Sequence, residues 1–309
     1  MWLEGLVFGS TAFLLTLILT PKLAKTLGDK EIIGVDLHKD DRPEIPEMVG
    51  VSILAGFLVS SLSAFLFYKD LRILIGVFVV LVTAILGVID RFKTLTPFQK
   101  ILSLLLVGIM LVPFSIPPFY GYFGIFYLIF IPSLFMCASN FTNMLAGFNG
   151  LEIGTGAIAS LGVAVLSVLN QSLAGFILSS SISGALLAFL YYNRYPAKVF
   201  PGDVGTLIIG AALFSSIVFG KFYITGAIVF IPYALDATLK YLSAGIMTRQ
   251  SQTPTILKDG KLFIPEGSNM SLARLFLKRK ALTENEVVKK VWLVEAGFCL
   301  IAILLELII

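Results

Sequence analysis

The sequence predicts an all-α, polytopic membrane protein in one domain, residues 1–309, and two observations support this prediction. Hydrophobic residues make up 57% of the chain and charged residues only 14%. In addition, apolar runs of about 20 residues, long enough to cross the hydrocarbon core as helices, recur from one end to the other. We predict ten spanning helices, at about residues 5–22, 48–67, 72–90, 99–115, 121–139, 153–170, 174–192, 204–220, 223–245 and 290–309.

Ten spans place both termini on the same side of the membrane. One set of loops then holds 19 of the 23 Lys and Arg residues, whereas the opposite set holds only Lys69, Arg72 and Lys221. Because cytoplasmic loops are enriched in basic residues, we expect a cell-membrane protein with both termini outside and the basic loops in the cytoplasm. This asymmetry and anionic lipid headgroups explain the net charge of +4 without a nucleic-acid partner.

The segment between the first two spans, from Ala24 to Glu47, is predicted to be an ordered loop. Pro43 and Pro46 exclude a regular helix there. Taken alone, its acidic residues are expected on a solvated surface, as charge runs usually are. These residues are Asp36, Asp40, Asp41, Glu44 and Glu47.

A carboxylate lies directly at the end of the third apolar run, in the sequence GVIDRFKTLTPFQK. Asp90 is followed there by Arg91, Lys93 and Lys100. One interpretation is an interfacial anchor, in which basic residues mark a helix end and Arg91 pairs with Asp90. The other is a site for phosphate and a metal ion, since a carboxylate and cations at a helix mouth suit both ligands.

The most polar interruption of the apolar pattern is NFTNMLAGFNGLE, from Asn140 to Glu152, with further asparagines at Asn143 and Asn149. It fits either a simple loop between two helices or a ligand site. A site is favoured, because polar non-helical backbone near apolar spans is tolerated only where protein covers it or water fills a cavity.

The sequence PGDVGT places Asp203 between Gly202 and Gly205, just before an apolar helix. The glycines let the backbone approach a ligand closely, and the free N–H groups of a helix start attract an anion. A carboxylate at this position can hold a divalent cation. The alternative is that Asp203 is only the N-cap of the helix.

The longest polar segment, at about residues 247–289, is predicted to hold a small β-hairpin and a short amphipathic helix. TILKDGKLFI, residues 255–264, joins two β-prone runs through an Asp-Gly turn. Ser268 or Asn269 is expected to cap the helix. The segment fits either the membrane surface or a basic lid over a polyanionic substrate, with Arg249 as its best-placed residue.

The residue inventory excludes several kinds of chemistry. His38 is the single histidine, and Cys137 and Cys299 fall inside predicted spans, so neither a zinc centre nor a disulfide framework is expected. A metal would need oxygen ligands, which points to Mg²⁺ or Mn²⁺. Walker, kinase and nucleophile-elbow motifs do not occur. Carboxylates, amides and cations gathered on one side of the membrane are what phosphoryl transfer needs.

Several stretches resemble one family closely. NFTNMLAGFNGLE resembles the NxxNxxxGxNGLE motif of the polyprenyl-phosphate N-acetylhexosamine-1-phosphate transferases, and in particular their dolichyl-phosphate branch. The similarity extends in collinear order to DLHKDDRPEIPEMVGV, GVIDRFKTLTPFQK, YNRYPAKVFPGD and SNMSLARLFLK, and so covers nearly the whole chain. The resemblance implies ten spanning helices, a cytoplasmic active site, a requirement for Mg²⁺, and a homodimer as a common state.

The resemblance also implies a reaction. The phosphate of a membrane polyprenol or dolichol attacks the β-phosphorus of UDP-N-acetylglucosamine, which gives polyprenyl-diphospho-GlcNAc and UMP. In the matched positions, Asp90 orients or deprotonates the acceptor phosphate, Lys100 binds phosphates, and Asp203 and Asn143 are ligands of the metal. Phe200 stacks on the uracil. The implied donor contacts are Leu37 through its backbone, Glu47, Gly147, Asn149, Phe200 and Arg249.

The chain departs from the family pattern at four places. Arg91 stands where the family usually has a second aspartate, which puts a two-carboxylate mechanism in question. Ala146 replaces an aspartate of the peptidoglycan branch, and that branch's histidine-rich motif is missing, which favours an amino-sugar donor over a muramyl-pentapeptide donor. Only Arg249 represents a basic Arg-x-Arg element, so sugar recognition can differ from that of N-acetylglucosamine.

Two other functions compete with the transferase. A secondary transporter of an anionic solute is also expected to have about ten helices with polar breaks, but it should place those breaks near the bilayer midplane. Here the breaks and charges lie at span ends on one side, which favours the transferase. An inactive scaffold is the third interpretation, and it would tolerate substitution of Asp203.

Overall fold

The computed structural model describes residues 2–39, 41–115, 124–245 and 253–309. Its helices are α1 (Trp2–Asp29), α2 (Val51–Tyr68), α3 (Leu71–Lys93), α4 (Pro97–Gly108), α5 (Val112–Ser115), α6 (Gly124–Met144), α7 (Leu151–Leu169), α8 (Leu173–Asn193), α9 (Gly202–Gly220), α10 (Tyr223–Val229), α11 (Ile231–Ala244), α12 (Leu272–Arg279) and α13 (Glu284–Glu306). Its strands are β1 (Ile33–Val35), β2 (Glu44–Pro46), β3 (Ile256–Lys258) and β4 (Lys261–Phe263). A 3-10 turn joins α4 to α5.

Eight helices in the described part of the chain are long and apolar enough to cross a membrane. They are α1, α2, α3, the continuous stretch Pro97–Ser115, Phe126–Met144 of α6, α7, α8 and α9. A mainly helical, polytopic membrane protein is thereby confirmed. The ninth predicted span is divided at Phe230 into α10 and α11, and the tenth overlaps α13, which begins at Glu284 and ends at Glu306. Ten spans therefore stay a prediction.

The centre of the bundle consists of α7, α8 and α9, whose residues are mostly buried by other helices. Lipid tails are as apolar as side chains, so helices in a membrane associate through close packing of small residues. The contact of α8 with α1 shows this, because a Cβ added at Gly184 would lie 2.0 Å from the carbonyl oxygen of Gly9. A larger residue at Gly184 would force these two helices apart.

The asparagine-rich stretch is more helical than predicted. α6 ends at Met144 rather than at residue 139, so Asn140 and Asn143 lie in its last turns. α7 begins at Leu151, and only residues 145–150 connect the two helices. Thr142, between these asparagines, contacts α9: its hydroxyl donates to the carbonyl of Thr206, at 3.0 Å.

The segment after α1 forms a β-hairpin that the sequence did not reveal. α1 continues to Asp29, and β1 then pairs antiparallel with β2. The backbone N–H of Phe200 donates to the carbonyl of Pro46, at 2.8 Å, and so holds the hairpin against the residues before α9. The expectation of solvated carboxylates is wrong for Asp36 and Glu47, which are 3% and 2% exposed. Both have cationic partners, which offset the cost of burying a charge.

The last polar segment confirms the predicted β3–β4 hairpin, with Gly260 in the left-handed region that its turn requires. The predicted helix cap is wrong, because Ser271 rather than Ser268 or Asn269 accepts the first-turn N–H. The hydroxyl of Ser268 instead donates to the carbonyl of Pro265. α12 packs against α11 and α13 with Leu272, Ala273, Arg274 and Leu277 buried.

Candidate active site

Lys100 joins two carboxylates that come from distant parts of the chain. Its Nζ lies 2.9 Å from Oδ2 of Asp90 and 2.8 Å from Oδ2 of Asp203. The three side chains are only 16–28% exposed, so their charges interact more strongly than they would in bulk water. The pairing of Arg91 with Asp90 that the anchor interpretation included is wrong, since Asp90 contacts Lys100 from the next helix and Arg91 contacts Glu47.

Close helix packing brings these residues together. Asp90 lies near the end of α3, Lys100 in the first turn of α4, and Asp203 in the first turn of α9. A Cβ added at Gly87 would lie 2.7 Å from the backbone nitrogen of Val204, so the α3 backbone contacts the start of α9 directly. Asp203 is not the N-cap of α9, because Pro201 holds that position, and its carboxylate faces Lys100 instead.

Asn143 approaches the same helix start from α6. Its Oδ1 accepts a hydrogen bond from the hydroxyl of Thr206, at 2.6 Å. Thr206 lies one turn after Asp203 in α9, so the amide of Asn143 and the carboxylate of Asp203 lie along one helix face. The asparagine and aspartate predicted to hold a metal are therefore neighbours. Within the described residues, no group of three or more His, Cys, Asp or Glu side chains forms a complete metal cluster.

Arg91 belongs to a separate interaction. Its Nη2 lies 3.2 Å from Oε2 of Glu47 and 3.3 Å from the carbonyl oxygen of Ile33 in β1. A cation at this position thus ties α3 to the β1–β2 hairpin. Glu47 is buried, so this ion pair is largely shielded from water.

Asn149 is 4% exposed and lies in a polar network. Its Oδ1 accepts from the backbone N–H of Ala197 at 2.7 Å, and its Nδ2 donates to Oδ2 of Asp36 at 3.0 Å. Its own backbone N–H donates to Oε1 of Glu284 at 2.6 Å. The hydrogen bond to Asp36 links two of the predicted donor contacts, Asn149 and Leu37, because Leu37 follows Asp36 directly in the chain.

Phe200 and Gly147 lie beside this network. Phe200 is half-buried, and its ring comes within 3.1 Å of the point where a Cβ on Gly34 would lie. Gly147 is exposed, with a φ of +154° and open space in front of its Cα. Arg249, the predicted residue of the lid, lies outside the described residues.

Three groups of this network were not singled out from the sequence: Asp36 as a partner of Asn149, Lys39 and Glu284. Lys39 Nζ contacts Oε2 of Glu284 and lies 3.3 Å from Oδ2 of Asp36. It also lies over the ring of Tyr195, at 4.4 Å. In the sequence, Glu284 stands directly after Thr283, a pattern that indicates a capped helix start but no contact with Asn149.

Two residues between β1 and β2, His38 and Lys39, have shifted pKa values. His38 packs on Phe148, with ring centroids 4.6 Å apart, and its Nδ1 contacts the hydroxyl of Thr255 at 2.7 Å. Burial lowers the pKa of His38 to about 4, so the imidazole is neutral at physiological pH. For Lys39, burial opposes the charged form, but hydrogen bonds and charges from Glu284 and Asp36 outweigh it and raise the pKa.

A second buried cation holds the asparagine-rich stretch in place. Lys240 of α11 donates to the carbonyl of Met144, at the end of α6, and its Nζ lies 2.8 Å from Oδ2 of Asp236. Oδ1 of Asp236 accepts the backbone N–H of Leu272, the first residue of α12, at 2.8 Å. One ion pair thus links the residue after Asn143 to the last polar segment.

The chain is similar in sequence to known glycosyltransferases. Glycosyl transferase family 4 matches residues 73–221, a range that contains Asp90, Lys100, Asn143 and Asp203. A protein of Methanocaldococcus jannaschii named "Putative glycosyltransferase" is 39% identical over 96% of this chain and 95% of its own length.

Two further relatives have more specific names. A "Putative UDP-N-acetylglucosamine–dolichyl-phosphate N-acetylglucosaminephosphotransferase" of Saccharolobus solfataricus is 32% identical over 96% of this chain and 94% of its own length. The phospho-N-acetylmuramoyl-pentapeptide-transferase of Streptococcus uberis is 32% identical over 67% of this chain and 70% of its own. Because the similarity runs along nearly the whole of this chain and its archaeal relatives, the protein belongs to glycosyl transferase family 4.

Proposed function

We propose that this protein transfers N-acetylglucosamine 1-phosphate from UDP-N-acetylglucosamine to a polyprenyl or dolichyl phosphate. The products are polyprenyl-diphospho-N-acetylglucosamine and UMP, the first lipid-linked step of glycan assembly. The observation that carries the proposal is Lys100, held between Asp90 and Asp203 where α3, α4 and α9 meet. A cation flanked by two carboxylates can bind phosphate oxygens while an acidic group orients a second phosphate.

In this reaction an oxygen of the acceptor phosphate forms a bond to the β-phosphorus of the donor, and the bond from that phosphorus to the UMP oxygen breaks. Asp90 orients the acceptor phosphate and takes up its proton where one is present. Lys100 neutralises the negative charge that gathers on the diphosphate. Asp90 acts here as a single carboxylate, since Arg91 is paired with Glu47.

Asp203 and Asn143 would hold the Mg²⁺ ion of this site, with Mn²⁺ as a substitute. Their chemistry fits the ion, because both offer hard oxygen ligands: Asp203 lies in the first turn of α9, and Asn143 contacts Thr206 one turn later. Magnesium bound by one or two protein oxygens typically completes its shell with water and substrate phosphate. The bound ion would supply further neutralisation of charge on the diphosphate oxygens.

The donor nucleoside is assigned to the side of the site around Asn149. In this assignment Asn149 and the backbone at Leu37 contact the uracil, Phe200 stacks on it, and Gly147 leaves room beside it. Glu47 binds on the same nucleotide side. Arg249 is assigned to the diphosphate and sugar. The Saccharolobus relative's name supports a UDP-N-acetylglucosamine donor and a dolichyl-phosphate acceptor.

The proposal places the site on the cytoplasmic face of the cell membrane, in line with the basic loops, and includes a homodimer as the expected state. The test is release of UMP by purified protein with Mg²⁺, one polyprenyl phosphate and a panel of UDP-sugars. UDP-N-acetylglucosamine should give the highest rate. No UMP from any UDP-amino sugar, together with solute flux in sealed vesicles, would overturn the proposal in favour of a transporter.

A further inference from the structure

Glu284, the first residue of α13, contacts the backbone of the asparagine-rich connection directly. Its Oε1 accepts the backbone N–H of Asn149 at 2.6 Å, and the side chain is 4% exposed. A carboxylate buried to this extent is costly unless its oxygens have partners. Both oxygens have one here, because Oε2 contacts Nζ of Lys39.

Lys39 extends the interaction to the β1–β2 hairpin. Its ammonium lies between Glu284 and Asp36, and the ring of Tyr195 covers it. Asp36 in turn accepts from Nδ2 of Asn149. The side chain and the backbone of Asn149 are therefore held by two carboxylates that share one lysine.

This arrangement fixes which way the amide of Asn149 points. Oδ1 faces the backbone N–H of Ala197, and Nδ2 faces Asp36. An amide has two N–H groups and two lone pairs, so these bonds leave one donor and one acceptor, counted over the described residues. A donor and an acceptor on one amide can pair with the donor and acceptor groups on the hydrogen-bonding edge of a uracil.

We infer that Glu284 and Lys39 are positioning residues for the donor nucleoside: they hold Asn149 with one N–H and one lone pair free for a uracil base. The inference rests on the proposed function, since it deepens the nucleotide side of the same site. It assigns a task to α13, which otherwise carries none of the proposed substrate contacts. It also explains why a buried carboxylate and a partly buried ammonium meet beside the polar connection between α6 and α7.

The test compares full-length variants in lipid nanodiscs. Glu284→Ala removes both contacts, whereas Glu284→Gln keeps an acceptor oxygen for Asn149 but loses the charge that holds Lys39. Lys39→Met removes the ammonium alone. Lys289→Ala, at an exposed position of the same helix, is the matched control. The probe is UMP, which contains the nucleoside whichever amino sugar is the true substrate.

The dissociation constant for UMP should rise at least about 10-fold in Glu284→Ala and Lys39→Met, less in Glu284→Gln, and remain within about 2-fold in Lys289→Ala. In turnover assays the KM for UDP-N-acetylglucosamine should rise while the KM for polyprenyl phosphate stays unchanged. A merely structural role would raise both constants together. If Glu284→Ala does not fold, Glu284→Gln and Lys39→Met decide the outcome.

UMP binding equal to wild type in Glu284→Gln and Lys39→Met would overturn the inference and leave the proposed function intact. Equal losses for donor and acceptor would overturn it as well. Wild-type protein that binds neither UMP nor any UDP-sugar would instead overturn the proposed function, and this inference with it.

Discussion

The guanidinium of Arg91 lies 3.2 Å from the carboxylate of Glu47, so the residue after Asp90 faces the β1–β2 hairpin while Asp90 faces Lys100. Two adjacent residues thus serve different parts of the site. The carboxylate that the family usually has at position 91 would here stand beside a buried acid. The arginine is consequently not a simple loss of one catalytic group, because it supplies the counter-charge for Glu47.

Arg91→Asp should retain turnover, because the Asp90–Lys100–Asp203 contacts do not involve Arg91. The new carboxylate would, however, lie close to that of Glu47. Repulsion between the two should weaken donor binding and raise the KM for UDP-N-acetylglucosamine roughly 10-fold. Arg91→Lys keeps the charge and should stay within about 3-fold of wild type. Steady-state kinetics check this. A complete loss of kcat in Arg91→Asp would show that Arg91 takes part in the chemistry.

Asp203→Ala should abolish turnover, by at least about 100-fold in kcat, because it removes a partner of Lys100 and the proposed metal ligand together. Chelation of divalent cations should have the same effect on wild type, reversed by added Mg²⁺. The control is Asp41→Ala, at an exposed position of the hairpin. Near-normal magnesium-dependent UMP release by Asp203→Ala would refute the assignment.

Gly87→Ala should impair both stability and activity. Its Cβ would lie 2.7–2.8 Å from backbone atoms of Asp203 and Val204, so α3 must move away from α9 and carry Asp90 away from Asp203. Overpacking of this kind costs about 1–3 kcal/mol. Gly297→Ala is the matched control, since a Cβ there meets nothing within 4 Å. Thermal midpoints and UMP release measure both effects; equal behaviour of the two variants would contradict the close α3–α9 packing.

Acid should destabilise the protein through His38. Its folded-state pKa of about 4 lies below its ordinary value of 6.5, so the stabilising contribution is complete above about pH 6.5 and is lost as the pH falls through 4. The loss is at most roughly 3 kcal/mol. His38→Asn keeps an acceptor for Thr255 and should flatten the pH dependence of the thermal midpoint between pH 7 and 4.5. An unchanged slope would assign the effect to other groups.

The helical part of the fold could be predicted because spanning helices are long, continuous apolar runs whose ends are marked by charge. The sequence also singled out Asp90, Lys100 and Asp203, since an ionisable residue at the end of a span is costly without a partner. The sequence did not indicate that Lys100 would sit between both carboxylates. That contact depends on how α3, α4 and α9 pack, which is decided by small residues such as Gly87.

The β1–β2 hairpin and the role of Lys240 could not be predicted, because both depend on tertiary contacts. The β1 and β2 strands have three residues each, too short for a periodic signal, and are stabilised by tertiary contacts with Phe200. Lys240 lies in a largely apolar helix, and a hydropathy profile shows its charge there but not the group that it contacts. Its bond to Met144 is a tertiary contact between residues 96 positions apart, which no local pattern can encode.

The position of Glu284 also bears on biosynthesis. The groups that bind Asn149 are Asp36, Ala197 and Glu284, and the last of these leaves the ribosome after every other residue of the proposed active site. Until α13 has been synthesised, the backbone N–H of Asn149 lacks the acceptor that Glu284 provides. A nascent or C-terminally truncated transferase would therefore hold donor nucleotide poorly, and competent enzyme would appear only once α13 has been synthesised and packed against α7.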